Sequence, residues 1–305
     1  MKVLVTGGAG FIGSHLVRAL IAHEFYPVVI DNLSSGRIEN LPNDVEVINM
    51  DVRSYSLSDT VEKLRCDYIV HLAAQTLVSE SIRNPINDAD INISGTLNVL
   101  DAARKNNIKR VIFASSAAVY GDVQSENLPI VEEQPQNPMS FYGLSKLTVE
   151  HYLKLYHDIF GLNFNALRFS NVYGERQGNG GEGGVISIFI NRLKNSQNIT
   201  IYGDGKQTRD FIYAGDIAEG ICCALTSKNC NSVYNVSSQT EISILELVNI
   251  LSSILDRQIS FIHEKPREGD ILRSVLSNKK AISQLNWSPQ FSLIDGLKKS
   301  IDNWI

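Results

Sequence analysis

Long apolar runs, clustered basic residues and spaced cysteine ligands are all missing from this 305-residue chain. No apolar stretch approaches the ~20 residues that a bilayer-spanning helix needs. Lys and Arg number 28 against 33 Asp and Glu, a net charge of −5 with no basic run, so no nucleic-acid partner is expected. The four cysteines, Cys66, Cys222, Cys223 and Cys230, show no metal-ligand spacing, and no metal site is expected. Cys222 and Cys223 are adjacent in an apolar helical pattern and read as buried reduced thiols. Lys2-Val3-Leu4-Val5 is already strand-like, with no charged segment leading into an apolar one; no secretory signal is expected, and a cytoplasmic location is. Internal repeats and low-complexity segments are likewise missing. What is present is an ordinary globular composition, 43% hydrophobic and 20% charged. The length predicts one large domain with a smaller lobe.

Short apolar runs at Val3–Thr6, Pro27–Asp31, Val45–Asn49, Tyr68–His71, Val111–Ser115 and Asn165–Ser170 read as strands. Helical patterns separate them at Gly13–Ala22, Ile91–Asn106 and Tyr142–Phe160. This alternation predicts an α/β fold with a Rossmann-type doubly wound parallel sheet over residues 1–170. Beyond Asn171, residues 174–184 carry Gly178, Gly180, Gly181, Gly183 and Gly184 and read as a loop, either a floppy insertion or a functional one. Residues 171–305 are expected to form a smaller C-terminal α/β lobe with strands at Ile199–Tyr202, Val233–Val236 and Ile259–His263. The segment around 210–228 is expected to pack back on the first domain.

Gly7-Gly8-Ala9-Gly10-Phe11-Ile12-Gly13 follows the first strand and opens the first helix. Gly7 permits a tight turn, Gly10 lets backbone approach a pyrophosphate, and Gly13 allows close helix–strand packing. The helix start then offers free N–H groups and a partial positive charge to an anion. Asp31 ends the second strand about 20 residues on, where a carboxylate accepts ribose hydroxyls and repels a 2′-phosphate. NAD is therefore expected over NADP. Asp51 and Val52 follow the third strand and either flank the adenine or, for Asp51, present a solvated carboxylate.

Tyr142 and Lys146 are four residues apart at the start of a helix and share one face. An ammonium beside a phenol favours the phenolate, which predicts a tyrosine titrating closer to neutrality. Ser116 follows a strand at the carboxyl edge of the sheet, where it can bond a substrate oxygen and share a proton with Tyr142, or simply cap a turn.

Together the stretches TGGAGFIGSH (6–15), DNLSSG (31–36), HLAA (71–74), SSAAVYG (115–121), YGLSK (142–146), LRFSNVYG (167–174), IYGDGKQTRDFIY (201–213) and REGD (267–270) resemble the extended short-chain dehydrogenase/reductase family over nearly the whole chain. More narrowly they are similar to its UDP-glucose/UDP-galactose 4-epimerases. The resemblance implies tightly bound NAD, a UDP-sugar substrate, and Ser116, Tyr142 and Lys146 as the catalytic group. It extends cofactor contacts to Asn32, Ser35, Gly36, Leu72, Ala73, Ala74, Asn92 and Phe169. It also implies a shared first step, in which the phenolate takes the 4-OH proton and a 4-keto sugar forms. Related dehydratases typically carry an acid pair, and related decarboxylases a Glu, just before Val-Tyr-Gly. Here Ala117 and Ala118 stand there, which favours epimerisation. UDP-glucuronate epimerases, dehydratases, reductases and non-catalytic sensors share the same framework.

For the substrate, the resemblance places Asn171, Arg209 and Arg267 at the diphosphate, Thr200 and Tyr202 at the uracil, Asp270 near the ribose, and Val185 at a helix start that contacts substrate. Arg209-Asp210 could equally be a salt-bridged turn and Tyr202 plain core. Thr76 replaces a lysine found near the cofactor phosphates in some relatives. Ser274 stands where a bulky tyrosine narrows the sugar pocket in others, which implies room here for a 2-N-acetyl group. Relatives commonly dimerise through helices corresponding to residues 90–106 and 142–160, so a homodimer is expected.

Overall fold

Strand β1 (Lys2–Thr6) is apolar at successive positions, and Val3, Leu4 and Val5 are fully buried. Such a strand belongs inside a parallel sheet covered on both faces. The structure, a computed structural model, describes residues 1–178, 184–266 and 271–302. After β1 come α1 (Phe11–Ala22), β2 (Tyr26–Asp31), β3 (Glu46–Asn49), α2 (Leu57–Leu64) and β4 (Tyr68–His71). Next are α3 (Val78–Arg83), α4 (Pro85–Ala89), α5 (Gly95–Lys105), β5 (Arg110–Ser116), α6 (Phe141–Phe160) and β6 (Phe164–Phe169). The second half holds β7 (Asn171–Tyr173), α7 (Val185–Lys194), β8 (Ile199–Tyr202), β9 (Thr208–Tyr213), α8 (Ala214–Thr226) and β10 (Ser232–Val236). It closes with β11 (Glu241–Ser243), α9 (Ile244–Ile254), β12 (Phe261–Glu264), α10 (Lys279–Leu285) and α11 (Leu293–Asp302).

Seven strands form one parallel sheet in the order β3-β2-β1-β4-β5-β6-β10. Helices α1, α8 and α10 cover one face, and α2, α5 and α6 the other. Strand order reverses between β1 and β4, and an open α/β sheet binds ligands at the carboxyl ends beside such a switch point. The lobe has its own core, in which Phe189, Ile201, Phe211, Leu247 and Leu297 pack between α7, α9, α11 and two small sheets, β11-β9-β7 and β12-β8. No helix among the described residues is long and apolar enough to cross a membrane.

Two features differ from the expectation. The strand at Ser232–Val236 was expected in the lobe, yet it is the edge of the main sheet, parallel to β6. Tyr234 and Val236 are fully buried there, and Trp287 packs into the same core, its indole N–H donating to Asp216 O at 3.0 Å. The chain therefore re-enters the first layer after the lobe has begun. The helix expected at 91–106 instead opens with a π-helical turn, Asp90–Ser94, before α5. Such turns occur often at functional sites, where the extra residue redirects a side chain. Here the turn carries Asn92.

All four cysteines are free thiols. Cys66 and Cys222 are buried, whereas Cys223 and Cys230 are only partly so. Burial pushes the Cys66 thiol up to about 11.

Candidate active site

The turn after β1 is built on two glycines that tolerate no side chain. Gly7 has φ +72°, and a Cβ on it would lie 2.7 Å from Ala73 N, so the loops after β1 and β4 touch there. A Cβ on Gly13 would lie 2.3 Å from Gly7 O. Helix α1 starts at Gly10 with no side-chain cap, which leaves first-turn N–H groups for an anion. Asp31 is 7% exposed and accepts from Ala9 N (3.0 Å) and Leu33 N (2.8 Å), so it braces the turn itself. Each carboxylate oxygen keeps a second lone pair for a ribose hydroxyl. Gly36 lies against it; a Cβ there would sit 2.9 Å from both oxygens. A dinucleotide fits this cradle, which has the backbone donors for a pyrophosphate and an acceptor for ribose. Ser35 is exposed nearby.

Asp51 is not a free solvated carboxylate. Arg53 grips both its oxygens at 2.9 and 2.8 Å, Asn32 donates to it at 2.9 Å, and the charge-assisted bonds with Arg53 hold its carboxyl well below the usual range. Val52 is buried beside it.

Behind Leu72, Ala73 and Ala74 runs a buried polar chain. Thr96 Oγ1 donates to Asn92 O, so the His71 Nε2–H must donate to Thr96 Oγ1 (2.9 Å) while Nδ1 accepts from Thr6 Oγ1 (2.6 Å). Burial drives the His71 imidazole down to about 3, in keeping with this neutral tautomer. Asn92 donates to Gln75 O (2.9 Å) and accepts from Gln75 N (2.9 Å). Asn92 was assigned to the cofactor; its amide is spent on shaping the loop beneath it.

Ser140 caps α6 by accepting from Gly143 N at 3.1 Å. A Cβ on Gly143 would lie 2.5 Å from Ala118 O, so only glycine lets the first turn of α6 sit on the Ser116–Val119 turn. That contact brings the Tyr142 hydroxyl close enough to Ser116 for the serine to favour the phenolate. Ser116 also accepts from Ala118 N at 3.1 Å, so it both caps a turn and faces the phenol. Lys146 is 4% exposed and donates to Ala114 O at 2.9 Å, with its ammonium 5.7 Å from the Tyr142 ring centre. Phe169 ends β6 in register with Ser116.

The spacing predicted a phenol pulled toward neutrality, and the protein's own groups do the opposite. The Tyr142 hydroxyl is enclosed, although part of the residue stays exposed, and burial pushes it above its ordinary value; the Ser116 bond opposes this and Asp88 reinforces it. Burial likewise pulls the Lys146 ammonium down to about 8. Desolvation decides the direction at both groups, which are taken out of water together.

The family model described as NAD dependent epimerase/dehydratase family matches residues 3–237. The chain belongs to this family. Its cofactor is NAD. A protein of Methanocaldococcus jannaschii, provisionally named a UDP-glucose 4-epimerase, is 44% identical over 99% of this chain and 98% of its own. The crystal structure of Thermotoga maritima UDP-glucose 4-epimerase with UDP-glucose superposes with a TM-score of 0.96 at 36% identity, covering 100% of this chain and 98% of that one. UDP-N-acetylglucosamine 4-epimerase from Methanobrevibacter ruminantium, in complex with UDP-N-acetylmuramic acid, gives a TM-score of 0.94 at 36% identity over 99% and 97% of the two chains.

In this family member the sequence-assigned substrate residues are spread over both lobe sheets. Asn171 opens β7 in register with Phe211 of β9, and Arg209 lies on β9, donating to Ile271 O at 2.7 Å. Arg209 and Asp210 do not form a salt-bridged turn; successive strand residues point to opposite faces. Asp210 accepts instead from Ser238 N and Oγ and from Leu276 N, and burial pushes its carboxyl up to about 6. Thr200 is buried on β8, with its hydroxyl accepting from Arg192, and Tyr202 is half-buried two residues on. Val185 starts α7. Ser274 is half-buried on a segment fixed by Thr208 N donating to Leu272 O (2.9 Å) and by Leu276 N donating to Asp210 (3.2 Å). Thr76 is exposed. Arg267 and Asp270, and Gly180, Gly181 and Gly183 of the glycine-rich loop, lie outside the described residues.

Sequence reasoning missed Asp88 and the buried pair Glu150–Arg168. Asp88 and Asn92 are four apart in a helical stretch, a usable signal; Glu150 is one turn beyond Lys146 on α6, and its partner is far along the chain.

Proposed function

We propose that this protein inverts C4 of a UDP-linked hexose through a 4-keto intermediate that is reduced back on its other face. The observation that carries this is the packing of the Tyr142 turn of α6 on the Ser116–Val119 turn, with the buried Lys146 ammonium 5.7 Å from the Tyr142 ring, at the carboxyl edge of the sheet, and methyl side chains at 117 and 118. Bound in the cradle after β1, NAD+ would supply the hydride acceptor. The Tyr142 phenolate takes the sugar 4-OH proton and later returns it, while Ser116 holds the reacting oxygen and shares the proton. Lys146, fixed by Ala114 O, contributes a buried positive charge. Ala117 and Ala118 can neither donate nor accept protons, so the elimination and decarboxylation chemistries lack a group at the position that serves them in relatives. Purified protein given UDP-glucose, UDP-GlcNAc and UDP-glucuronate without added NAD should yield C4-inverted product, without loss of water or carbon dioxide. Tyr142→Phe should lower the rate by about 10²–10⁴; an undiminished rate would refute the mechanism.

The preferred substrates on this proposal are UDP-glucose and UDP-galactose together with their 2-N-acetyl counterparts, because Ser274 is small and sits on a pinned segment. Ser274→Tyr should suppress turnover of the acetylated pair selectively. We also propose a homodimer built on α6, which exposes Leu144, Leu155 and Ile159, and on α3 and α4, which pack on it and expose Val78, Ile82 and Ile86. A monomeric mass in sedimentation would count against it.

A further inference from the structure

Asp88 lies near the end of α4 with 1% of its surface exposed. One carboxylate oxygen accepts from Gln75 Nε2 at 2.8 Å and Asn92 Nδ2 at 3.1 Å. The other is buried and, among the described residues, has no hydrogen-bond partner. A buried carboxylate left this way is costly unless a positive charge answers it. Helix α4 packs on α6, and the Asp88 charge acts on both Tyr142 and Lys146. Hydrogen bonds join the same elements, with Asn92 Nδ2 reaching Ser145 Oγ at 3.4 Å and Ser145 donating to Tyr142 O at 3.0 Å. Other charges on the neighbouring elements are engaged elsewhere. Asp90 pairs with Arg53 at 2.6 Å, Glu80 with Arg83 at 3.0 Å, and His71 is neutral.

We propose that Asp88 is a positioning residue for the Tyr142–Lys146 pair, its fixed negative charge keeping the Lys146 ammonium charged inside a buried site and setting how readily Tyr142 gives up its proton. The proposal rests on the acid–base roles given above to Tyr142 and Lys146. The carboxylate opposes desolvation at Lys146 and adds to it at Tyr142, so it moves both groups in one direction. The cost is a more reluctant phenol. The gain is an ammonium that survives at neutral pH.

Asp88→Asn is the decisive variant, because its amide oxygen still accepts from Gln75 and Asn92 while the charge is gone. Both limbs of its pH–rate profile for UDP-sugar interconversion should move to lower pH by roughly 0.5–1 unit. A second readout needs no turnover: the phenolate absorbance of Tyr142, taken as the difference from Tyr142→Phe in each background, should titrate at lower pH in Asp88→Asn. Limbs and phenolate midpoint both unmoved, even with a rate loss at every pH, would make Asp88 purely structural and overturn the proposal. Asp88→Ser, smaller and neutral, is read the same way if the Asn variant does not fold. Should wild type fail to invert any UDP-sugar, the functional proposal falls, and the phenolate titration still decides this one.

Discussion

Arg168→Met isolates a buried ion pair beside the candidate site at the carboxyl edge of the sheet. Arg168 donates through Nε and a terminal nitrogen to the two oxygens of Glu150, at 2.9 and 2.6 Å, and the side chains are 4% and 5% exposed. At that depth solvent screening is negligible. Arg168 also donates to Tyr120 Oη (2.7 Å) and Glu132 O (3.1 Å), while Ser115 Oγ donates to Glu150. Ser115 and Arg168 are register partners next to the Ser116–Phe169 pair, so the network lies one residue from the site. Removing the guanidinium strands a carboxylate in the interior, at a cost of about 3–5 kcal/mol. For a chain of this size that corresponds to a melting-temperature loss of roughly 5–8 °C. Glu150→Leu should cost about as much for the mirror reason. The double variant should lose less than either single one, because well-packed apolar groups replace a buried pair at little net cost and Tyr120 still donates to Asn235 at 2.7 Å. Thermal denaturation of the four proteins, with turnover measured alongside, completes the cycle. An unshifted melting temperature in Arg168→Met, or a double variant that loses the sum of the two, would refute the reasoning.

Gly13→Ala should purify with much less bound NAD, since its Cβ would press on Gly7 O; equal NAD content in Gly13→Ala and wild type would contradict the cradle. Stability should fall as pH drops from about 6.5 toward 5. His15 and His71 are buried and neutral, with pKa values lowered to about 4 and about 3, so the unfolded chain binds more protons in that window, and each histidine contributes up to ~1.4 kcal/mol per pH unit. Asp210, raised to about 6, has the opposite sign below that pH and offsets part of the loss. His71→Asn should flatten the slope, and a melting temperature constant from pH 6.5 to 5 would show that these histidines are not buried neutral.

Much of the cofactor half of the site was legible because its signals are local. The glycine spacing, Asp31 at the end of the second strand and the Tyr142–Lys146 interval each depend on a few consecutive φ/ψ choices and on helix periodicity. The substrate half was legible only as likeness to relatives, because its residues come from β7, β8, β9 and the 271–276 segment, with no shared local pattern. Asn92 shows the limit of such likeness. The resemblance assigned it to the cofactor, and its amide bonds Gln75.

From the residues alone came the doubly wound sheet, the glycine turn that opens α1 and the helix face that carries phenol and ammonium, since periodicity and backbone freedom are properties of neighbouring residues. Tertiary structure alone decided that β10 returns to the main sheet, that Glu150 meets Arg168, and that α4 packs Asp88 against the helix carrying Tyr142 and Lys146. It also reversed the expected direction of the Tyr142 shift. Desolvation depends on everything packed around a group, and residues distant in sequence make that enclosure.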